Sequence, residues 1–427
     1  MQEVTRRDML LTAGAMTALM QIPKAHAKAA VTPGQKVAFD GVDKAIGAAV
    51  DAKQVPATVA VAANPDGIFY SGSWGRQKGD EGAAVDGDTV FWIASMTKAI
   101  TATAAMQLVE QGKLSLDQEM GKLLPYLATV QVLEGFDAQG APKLRPPKRP
   151  ITLRHLLTHT AGFVYSIWDE NMARYEKATG TPFIGTCETA SLKAPLLFDP
   201  GERWEYGINI DWAGRAVEAV ADQSLAVYFR ENIFNPLSME STGFLIGSAQ
   251  KNRLAAGYTR NADGTLAPAS PPFGMPQRPE FFMGGGALFS TPNDYMQFLQ
   301  MLLQDGSLGR ARILKPETVA QMMENHIGDL KVVTLKTVAP ALSKDANFFP
   351  NMVQKWGLSF DINTEVTPTG RSAGSVCWAG LFNTYFWLDP KKKITGTIMT
   401  QLLPFADDKV LETYATFEKG MYNAMTA

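Results

Sequence analysis

Apolar and polar residues follow clear patterns at both ends of the chain. Residues 37–53 (VAFDGVDKAIGAAVDAK) repeat apolar positions at helical spacing, and residues 57–76 (ATVAVAANPDGIFYSGSWGR) read as two β-strands around an Asn-Pro-Asp-Gly turn. Residues 383–403 (NTYFWLDPKKKITGTIMTQLL) again read as strand, turn and strand, and residues 407–425 read as a closing helix. The pattern predicts an α/β (α+β) fold in which one antiparallel sheet is built from both ends of the chain and flanked by helices.

The middle of the chain, about residues 113–284, has a different pattern. It is rich in helical periodicity and is interrupted by proline-rich loops at residues 143–150 (KLRPPKRP) and 267–279 (APASPPFGMPQRP). We interpret it as a mostly helical insertion into an α/β part formed by residues 28–112 and 285–427. A cleft is expected where the insertion meets the sheet, and ligand sites concentrate in such clefts.

The predicted helix from Met96 to Gln111 is apolar or small on almost every side, which is typical of a helix buried in a large core. Its only charged residues are Lys98 and Glu110. A lysine is almost never fully buried without a partner, and the helix dipole disfavours an ammonium in the first turn. Ser95 lies three residues before Lys98, on the same face of the helix. We infer that burial and the dipole lower the pKa of Lys98, so that its neutral amine accepts the Ser95 proton.

A second serine competes for the role of nucleophile. Ser372 lies in Gly-Arg-Ser-Ala-Gly (370–374), which matches the G-x-S-x-G turn of α/β-hydrolases. That motif requires a helix after the serine and a histidine later in the chain, whereas the residues that follow Ser372 read as a strand. Every histidine of the chain precedes Ser372: His26, His155, His159 and His326. Ser95 is therefore the better candidate.

Composition and charge restrict the partners. The chain has 427 residues, of which 46% are apolar and 19% charged, and its formal net charge is −2. We therefore expect no nucleic-acid partner and no electrostatic attraction to a membrane surface. Two cysteines, Cys187 and Cys377, match no metal-ligand spacing, and a single disulfide between them stays open. The residues indicate no cofactor and leave the oligomeric state undecided.

The N-terminus carries the features of an export signal. Arg6 and Arg7 precede an uncharged stretch that begins at Met9, and a small-residue cleavage pattern ends at Ala27. The paired arginines resemble a twin-arginine signal, although Met9 stands where that signal prefers Phe. We predict a signal peptide over residues 1–27 and a periplasmic or secreted mature protein without stable membrane association. An amphipathic N-terminal arm is the alternative.

Further motifs follow the Ser95-x-x-Lys98 motif in order along the chain. Tyr206 precedes an amphipathic helix in WEYGINIDWAGRAVE, and a Trp-Ala-Gly motif at 378–380 opens a late strand. This order resembles the serine β-lactamase and penicillin-binding protein superfamily, in its class C-like branch, where a tyrosine motif and a K/H/W-x-G strand follow S-x-x-K. The resemblance covers nearly the whole mature chain and implies a β-lactamase-like fold.

Two departures from class C β-lactamases concern substrate binding. Where those enzymes carry Tyr-x-Asn, this chain has Ile208, with Asn209 one place late, and where they carry Lys-Thr-Gly it has Trp378. The resemblance implies that the amide and the ammonium that hold the antibiotic are both replaced, which leaves a more apolar pocket. The W-x-G motif resembles the family VIII carboxylesterases, which are esterases with a β-lactamase fold.

The resemblance implies a role for each motif residue. Ser95 would be the nucleophile, and Lys98 and Tyr206 would share its proton, with a Tyr206 phenolate favoured by Lys98. The backbone N–H groups of Ser95 and Leu381 would form the oxyanion hole. The substrate-binding residues would be Trp378, Gly380 and Ile208.

These residues predict an exported serine carboxylesterase that hydrolyses short to medium, moderately apolar esters, so its partner would be a small-molecule ester. The alternatives within the fold are a class C-like β-lactamase, a D-Ala-D-Ala carboxypeptidase, and an acyl transferase or amidase. A non-catalytic sensor would lack one of the three proton-transfer residues, and all three are present. His155 and His159, at i and i+4, lack the glutamate and third ligand of a metal site, so we favour a packing or capping role.

Overall fold

The computed structural model describes residues 32–270 and 274–426. The predicted signal peptide, residues 1–27, lies outside the described residues. Within the two described ranges, no helix is both long enough and apolar enough to cross a membrane.

Seven strands form one antiparallel sheet. Two come from the start of the chain and five from its end: β1 (Thr58–Asn64), β2 (Gly67–Trp74), β3 (Gln354–Trp356), β4 (Asp361–Asn363), β5 (Val376–Gly380), β6 (Thr384–Asp389) and β7 (Ile394–Met399). Their order across the sheet is β3-β4-β5-β6-β7-β1-β2. The two ends of the chain join where β1 pairs with β7, with Val61 opposite Thr397. The prediction of a sheet built from both ends of the chain is confirmed.

The helices differ widely in length. The longer ones are α1 (Pro33–Asp51), α2 (Thr97–Glu110), α3 (Glu170–Thr179), α4 (Asn209–Ala221), α5 (Pro292–Leu303) and α6 (Asp408–Thr426). Shorter α-helical segments are Pro125–Thr129, Leu153–Leu157, Leu225–Phe229, Ser248–Lys251 and Pro316–Met322. Single turns of 3-10 or π helix are Ala94–Met96, Met120–Lys122, Ile184–Thr186, Thr189–Leu192 and Arg230–Phe234.

Helices cover both faces of the sheet. Phe386 and Trp387 are adjacent in β6 and therefore point to opposite faces. Phe386 packs on Tyr295 of α5 with ring centroids 5.5 Å apart, whereas Trp387 packs on Phe417 of α6 with centroids 5.3 Å apart. Every residue of β5, β6 and β7 is buried. Because both faces are covered, β5 and β6 are largely apolar on both sides, and β7 buries the small polar residues Thr395 and Thr397 as well.

The helix α2 is the buried helix that its apolar surface predicts. It follows the 3-10 turn Ala94–Met96, and its residues from Thr97 to Leu108 are all buried. It packs against α4. It ends shortly before Gly112, which has a positive φ of 67° and closes the helix in the left-handed conformation that glycine adopts freely.

The segment 113–284 adds no strand to the seven-stranded sheet, but it carries small β-structure that the pattern does not predict. Val132–Phe136 pairs with Pro142–Arg145, so the start of the first proline-rich loop is a strand. Tyr258–Arg260 pairs with Leu266–Pro268. These strands are three to five residues long and partly exposed, which is too short for a reliable period-two signal. Other short strands are Arg76–Lys78, Glu81–Ala84, Phe91–Trp92, Phe289–Ser290, Ser307–Leu308, Ala311–Arg312 and Leu402–Leu403.

Candidate active site

The turn that enters α2 presents Ser95. Ala94 has a positive φ of 42°, a conformation that costs a non-glycine residue on the order of 1–3 kcal/mol. Thr97 Oγ1 donates a hydrogen bond to Ala94 O at 2.6 Å, and Ile93 N donates to Leu288 O at 3.0 Å. These bonds hold the strained turn, and Ser95 stays partly exposed while its neighbours on both sides are buried.

Lys98 lies one turn further along α2 and contacts Ser95, as the i, i+3 spacing predicts. Its Nζ lies 3.1 Å from Ser95 Oγ, 3.0 Å from Tyr165 OH and 2.6 Å from Gly285 O. Burial lowers the pKa of Lys98 to about 7, and the charge of Asp211 opposes this fall. Near neutral pH a large fraction of the amine is therefore uncharged and able to accept the serine proton.

Tyr206 lies beside the same two groups, but Lys98 does not face its hydroxyl. Trp378 Nε1 donates to Tyr206 OH at 2.9 Å, and Lys98 Nζ lies 4.7 Å from the centre of the Tyr206 ring. Burial raises the pKa of Tyr206, and interactions of its hydroxyl with Ser95 and Trp378 only partly offset the rise. The raised pKa favours the neutral phenol over the predicted phenolate, chiefly because the Tyr206 hydroxyl is buried.

Tyr165 is a site residue that the sequence reasoning missed. Its hydroxyl accepts a hydrogen bond from Lys98, the residue that the prediction paired with Tyr206. Tyr165 N donates to Tyr206 O at 3.1 Å, which places the two rings side by side with centroids 5.3 Å apart. The stretch ITLRHLLTHTAGF (residues 151–163), which is also similar to stretches of the class C-like branch, ends two residues before Tyr165. That proximity was the available signal, but only the fold brings this loop to Lys98.

A buried polar network holds the loop that carries Tyr206. His159 Nδ1 accepts hydrogen bonds from Asn209 Nδ2 at 3.0 Å and from Gly207 N at 3.4 Å. Asn209 Nδ2 also donates to Phe163 O at 3.0 Å. Gly207 permits this close packing, since a Cβ there would lie 2.2 Å from Phe163 O. Asn209 therefore positions the tyrosine loop and does not point to a substrate.

Ile208 is the one predicted substrate-binding residue that the structure places elsewhere. Its side chain is 4% exposed and belongs to the hydrophobic core, and it is absent from the residues that line the cavity at Ser95. Ile208 immediately precedes α4, at the helix N-cap. The prediction that Ile208 contacts substrate is corrected accordingly.

Gly380 and Leu381 lie at the end of β5, beside Ser95, and all three residues line the same cavity. A Cβ at position 380 would lie 2.3 Å from Ile93 O. Glycine therefore allows the end of β5 to approach the turn that holds Ser95. Leu381 directly follows Gly380, and its role as an oxyanion donor stays a prediction.

Trp378 lines the cavity, and its indole N–H also donates a hydrogen bond to the Tyr206 hydroxyl. Its ring also packs edge-on against Trp356 with centroids 4.7 Å apart. None of the described residues that line the cavity is charged. Most of them are apolar: Trp92, Ala94, Ile167, Trp168, Phe183, Ile184, Met275, Met283, Leu335, Trp378, Ala379, Leu381 and Phe405.

The competing serine is not part of this site. Ser372 is buried, its backbone N–H donates to Asp389 Oδ2 at 2.8 Å, and the strand β5 follows it as the sequence predicts. The two cysteines are free buried thiols, so the disulfide left open by the sequence does not form. Burial raises the pKa of both Cys187 and Cys377 to about 12.

The histidine pair has the capping and packing roles that the sequence favours. His155 Nδ1 accepts a hydrogen bond from Thr152 N at the start of a short helix. His159 packs against the rings of Tyr206 and Trp356, with centroids 4.7 Å and 5.4 Å away. Within residues 32–270 and 274–426, no group of three or more His, Cys, Asp or Glu side chains is arranged to hold a metal ion.

Known proteins share this architecture. The beta-lactamase family profile matches residues 42–420. The chain is 30% identical over 400 residues to a lovastatin esterase of Penicillium rubens, covering 90% of this chain and 99% of that protein. It is also 30% identical over 399 residues to the ML-236A carboxylate methylbutanoyltransferase of Penicillium citrinum, covering 90% and 94%. The unliganded selenomethionyl structure of simvastatin synthase (LovD) from Aspergillus terreus matches with a TM-score of 0.79 at 29% identity, covering 90% of this chain and 98% of that chain. The chain belongs to the beta-lactamase family.

Proposed function

We propose that this protein is an exported serine carboxylesterase that hydrolyses short to medium, moderately apolar esters through an acyl-enzyme on Ser95. The observation that carries the proposal is the combination of a serine and a buried amine, 3.1 Å apart, with an apolar cavity. The amine can activate the serine, and the cavity wall suits an uncharged acyl group. The similarity to a lovastatin esterase supports the same reaction class.

In the proposed mechanism, Lys98 takes the Ser95 proton as Ser95 Oγ attacks the ester carbonyl. The backbone N–H groups of Ser95 and Leu381 donate hydrogen bonds to the negatively charged carbonyl oxygen. One such donor stabilises the transition state by on the order of 3 kcal/mol. Tyr206, as a neutral phenol, gives a proton to the leaving alkoxide. The Tyr206 phenolate then takes a proton from the water that attacks the acyl-enzyme, and Lys98 returns its proton to Ser95 Oγ as the acid leaves.

Trp378 is the reason to prefer an ester over a β-lactam. A β-lactam antibiotic carries a carboxylate, and burying a carboxylate without a cationic or hydrogen-bonding partner is costly. Trp378 stands where class C enzymes have a lysine, and its N–H is already bonded to Tyr206. A β-lactamase or D-Ala-D-Ala carboxypeptidase is therefore the weaker assignment.

Acyl transfer to an alcohol is the second candidate. The cavity wall offers few polar side chains that would hold a water molecule beside the acyl-enzyme. The similarity to a methylbutanoyltransferase also supports acyl transfer to an alcohol. Both reactions form the same acyl-enzyme and differ only in whether water or an alcohol accepts the acyl group.

The export proposal rests on the N-terminal sequence, in which Arg6, Arg7 and the pattern ending at Ala27 have the form of a cleaved signal. Fractionation of cells that express the full chain tests it. We expect the protein in the periplasm or the medium, with a new N-terminus at about residue 28. Recovery of the uncleaved chain in the cytoplasm would contradict export while leaving the esterase proposal intact.

The enzymatic test compares kcat/KM for p-nitrophenyl butyrate and nitrocefin, for the wild type and Ser95→Ala. We expect the ester to be preferred by about 10²-fold or more and the Ser95→Ala variant to lose roughly 10³-fold or more on it. Added butanol distinguishes the second candidate, since a transferase forms butyl butyrate in place of butyric acid. A preference for nitrocefin would overturn the assignment, and an active Ser95→Ala variant would overturn the nucleophile.

A further inference from the structure

The segment that contains Gly284 and Gly285 is fastened to α2 around Lys98. Thr101 Oγ1 donates to Gly284 O at 2.6 Å, and Lys98 Nζ donates to Gly285 O at 2.6 Å. A little further on, Leu288 N donates to Thr97 Oγ1 at 3.2 Å. The Gly285 carbonyl accepts the Lys98 hydrogen bond, and hydrogen bonds between α2 and the residues before and after Gly285 hold it in place.

Asp211 binds the backbone N–H of Gly285, whose carbonyl binds Lys98. It lies in the first turn of α4, is 1% exposed, and its Oδ1 accepts a hydrogen bond from Gly285 N at 2.7 Å. Its Oδ2 has no hydrogen-bond partner among the described residues. Position 285 must be glycine for this approach, since a Cβ there would lie 2.5 Å from Asp211 Oδ2. One residue thus separates a buried carboxylate from a buried amine.

The charges of Asp211 and Lys98 act on each other in this dry site. Burial raises the pKa of Asp211 to about 6, and the positive charge of Lys98 opposes the rise. The other titratable groups that interact with the pair are Tyr165, Tyr206, His159 and Cys187. Burial raises the pKa of both tyrosines and of the cysteine and lowers that of the histidine, so these four are neutral near pH 7. Asp211 is therefore the anion that faces Lys98.

We propose that Asp211 is a positioning residue for Lys98, which holds the Gly285 carbonyl toward the amine and supplies the counter-charge for the ammonium that forms when Lys98 takes the Ser95 proton. In this step the proton moves from Ser95 Oγ to Lys98 Nζ and Asp211 remains ionised. The inference rests on the proposed role of Lys98 as the base. A buried ammonium without a nearby anion is strongly disfavoured, so the carboxylate favours the proton transfer.

Asp211→Asn tests the proposal, because the amide keeps an oxygen for Gly285 N–H and removes the charge. The readout is the rate at which a fluorophosphonate probe labels Ser95 in the full chain, measured from pH 5 to 9. This reagent reacts with an activated serine whatever acyl group the enzyme prefers. Failure of the inference is therefore distinguishable from failure of the proposed ester preference.

Two linked changes are expected in Asp211→Asn. The rising limb of the pH–rate profile moves about one unit toward lower pH, because the ammonium loses its counter-charge and gives up its proton more easily. The plateau rate falls roughly 10–100-fold, because a weaker base assists the attack less. A purely structural role for Asp211 would lower the plateau without moving the limb.

Asp294→Asn is the matched control. Asp294 also lies in the first turn of a helix, α5, and its Oδ2 accepts a hydrogen bond from Ser241 N at 2.8 Å. It has no contact with Lys98, so its profile should match that of the wild type. Gly285→Ala is the second variant, since its Cβ displaces the Asp211 carboxylate, and a smaller shift of the limb in the same direction is expected.

Three outcomes would overturn the inference. The first is an Asp211→Asn limb within 0.2 units of the wild type, whatever the plateau does. The second is an equal shift in Asp294→Asn. The third is loss of a cooperative thermal transition in both Asp211→Asn and Gly285→Ala, which would make the role of Asp211 structural. If Asp211→Asn alone fails to fold, Gly285→Ala takes its place. A rising limb of its pH–rate profile within 0.2 units of the wild type would then overturn the inference.

Discussion

Two buried ionic groups in this protein are built differently. On the α6 side of the sheet, Arg371 Nε donates to Glu418 Oε1 at 2.7 Å, a second nitrogen of the guanidinium bonds the other carboxylate oxygen, and that nitrogen also reaches Tyr414 OH at 2.7 Å. In the active site, Lys98 and Asp211 are just as deeply buried but meet only through Gly285. One pair is bonded directly at two points, and the other is separated by a residue.

The two cations differ in pKa for this reason. Burial alone would lower the pKa of Arg371, but Glu418 and Tyr414 hold it well above its usual value, so this cation keeps its charge. Lys98 has only the separated carboxylate to oppose burial, and its pKa falls to about 7. A tightly paired buried charge stabilises one protonation state, whereas an incompletely compensated one can exchange its proton near neutral pH.

The largest expected effect comes from removing the amine. Lys98→Met should lower kcat/KM for p-nitrophenyl butyrate by roughly 10³-fold, because the serine loses its proton acceptor. The thermal unfolding midpoint should change little, because methionine has a similar length and Asp211, whose pKa burial raises to about 6, takes up a proton when the ammonium is absent. A clear fall in the midpoint would mean that Lys98 is a structural cation like Arg371 and would break the comparison.

The next effect concerns the structural pair. Arg371→Met should lower the free energy of unfolding by about 3–5 kcal/mol, because Glu418 is left buried and unpaired. Urea denaturation measures this loss, and kcat/KM per folded molecule should stay close to that of the wild type. The double variant Arg371→Met, Glu418→Leu is the control and should recover most of the stability. If Arg371→Met lowers the free energy of unfolding by less than about 1 kcal/mol, the Arg371–Glu418 pair behaves as an exposed ion pair and is not a buried structural one.

The smallest effect concerns the indole that bonds Tyr206. Trp378→Phe should lower kcat by about tenfold, because the Tyr206 hydroxyl loses the hydrogen bond that orients it. Trp168→Phe is the matched comparison, since the Trp168 N–H donates to Ser343 Oγ at 3.0 Å instead. It should change KM more than kcat. Equal effects of the two substitutions on kcat would remove the proposed role of the Trp378 N–H.

Much of the fold could be predicted because periodicity is a local property. The two hairpins, the buried helix α2 and the closing helix α6 each show their pattern within about 20 residues. The short strands of the insertion carry too few residues for such a pattern. Ile208 shows another limit, because the family resemblance indicated a site residue while the structure buries its side chain in the core.

The sequence by itself determined that Ser95 and Lys98 meet at the start of a buried helix, because three residues of separation are enough for one helical turn to bring them together. It also determined that tryptophan stands in the late strand where related enzymes carry lysine. Only the tertiary structure decided what surrounds the amine. Tyr165 and Gly285 lie 67 and 187 residues from Lys98 along the chain, and Asp211 reaches it through Gly285. Contacts at such separations depend on how loops pack across α2, and they leave no periodic trace in the sequence.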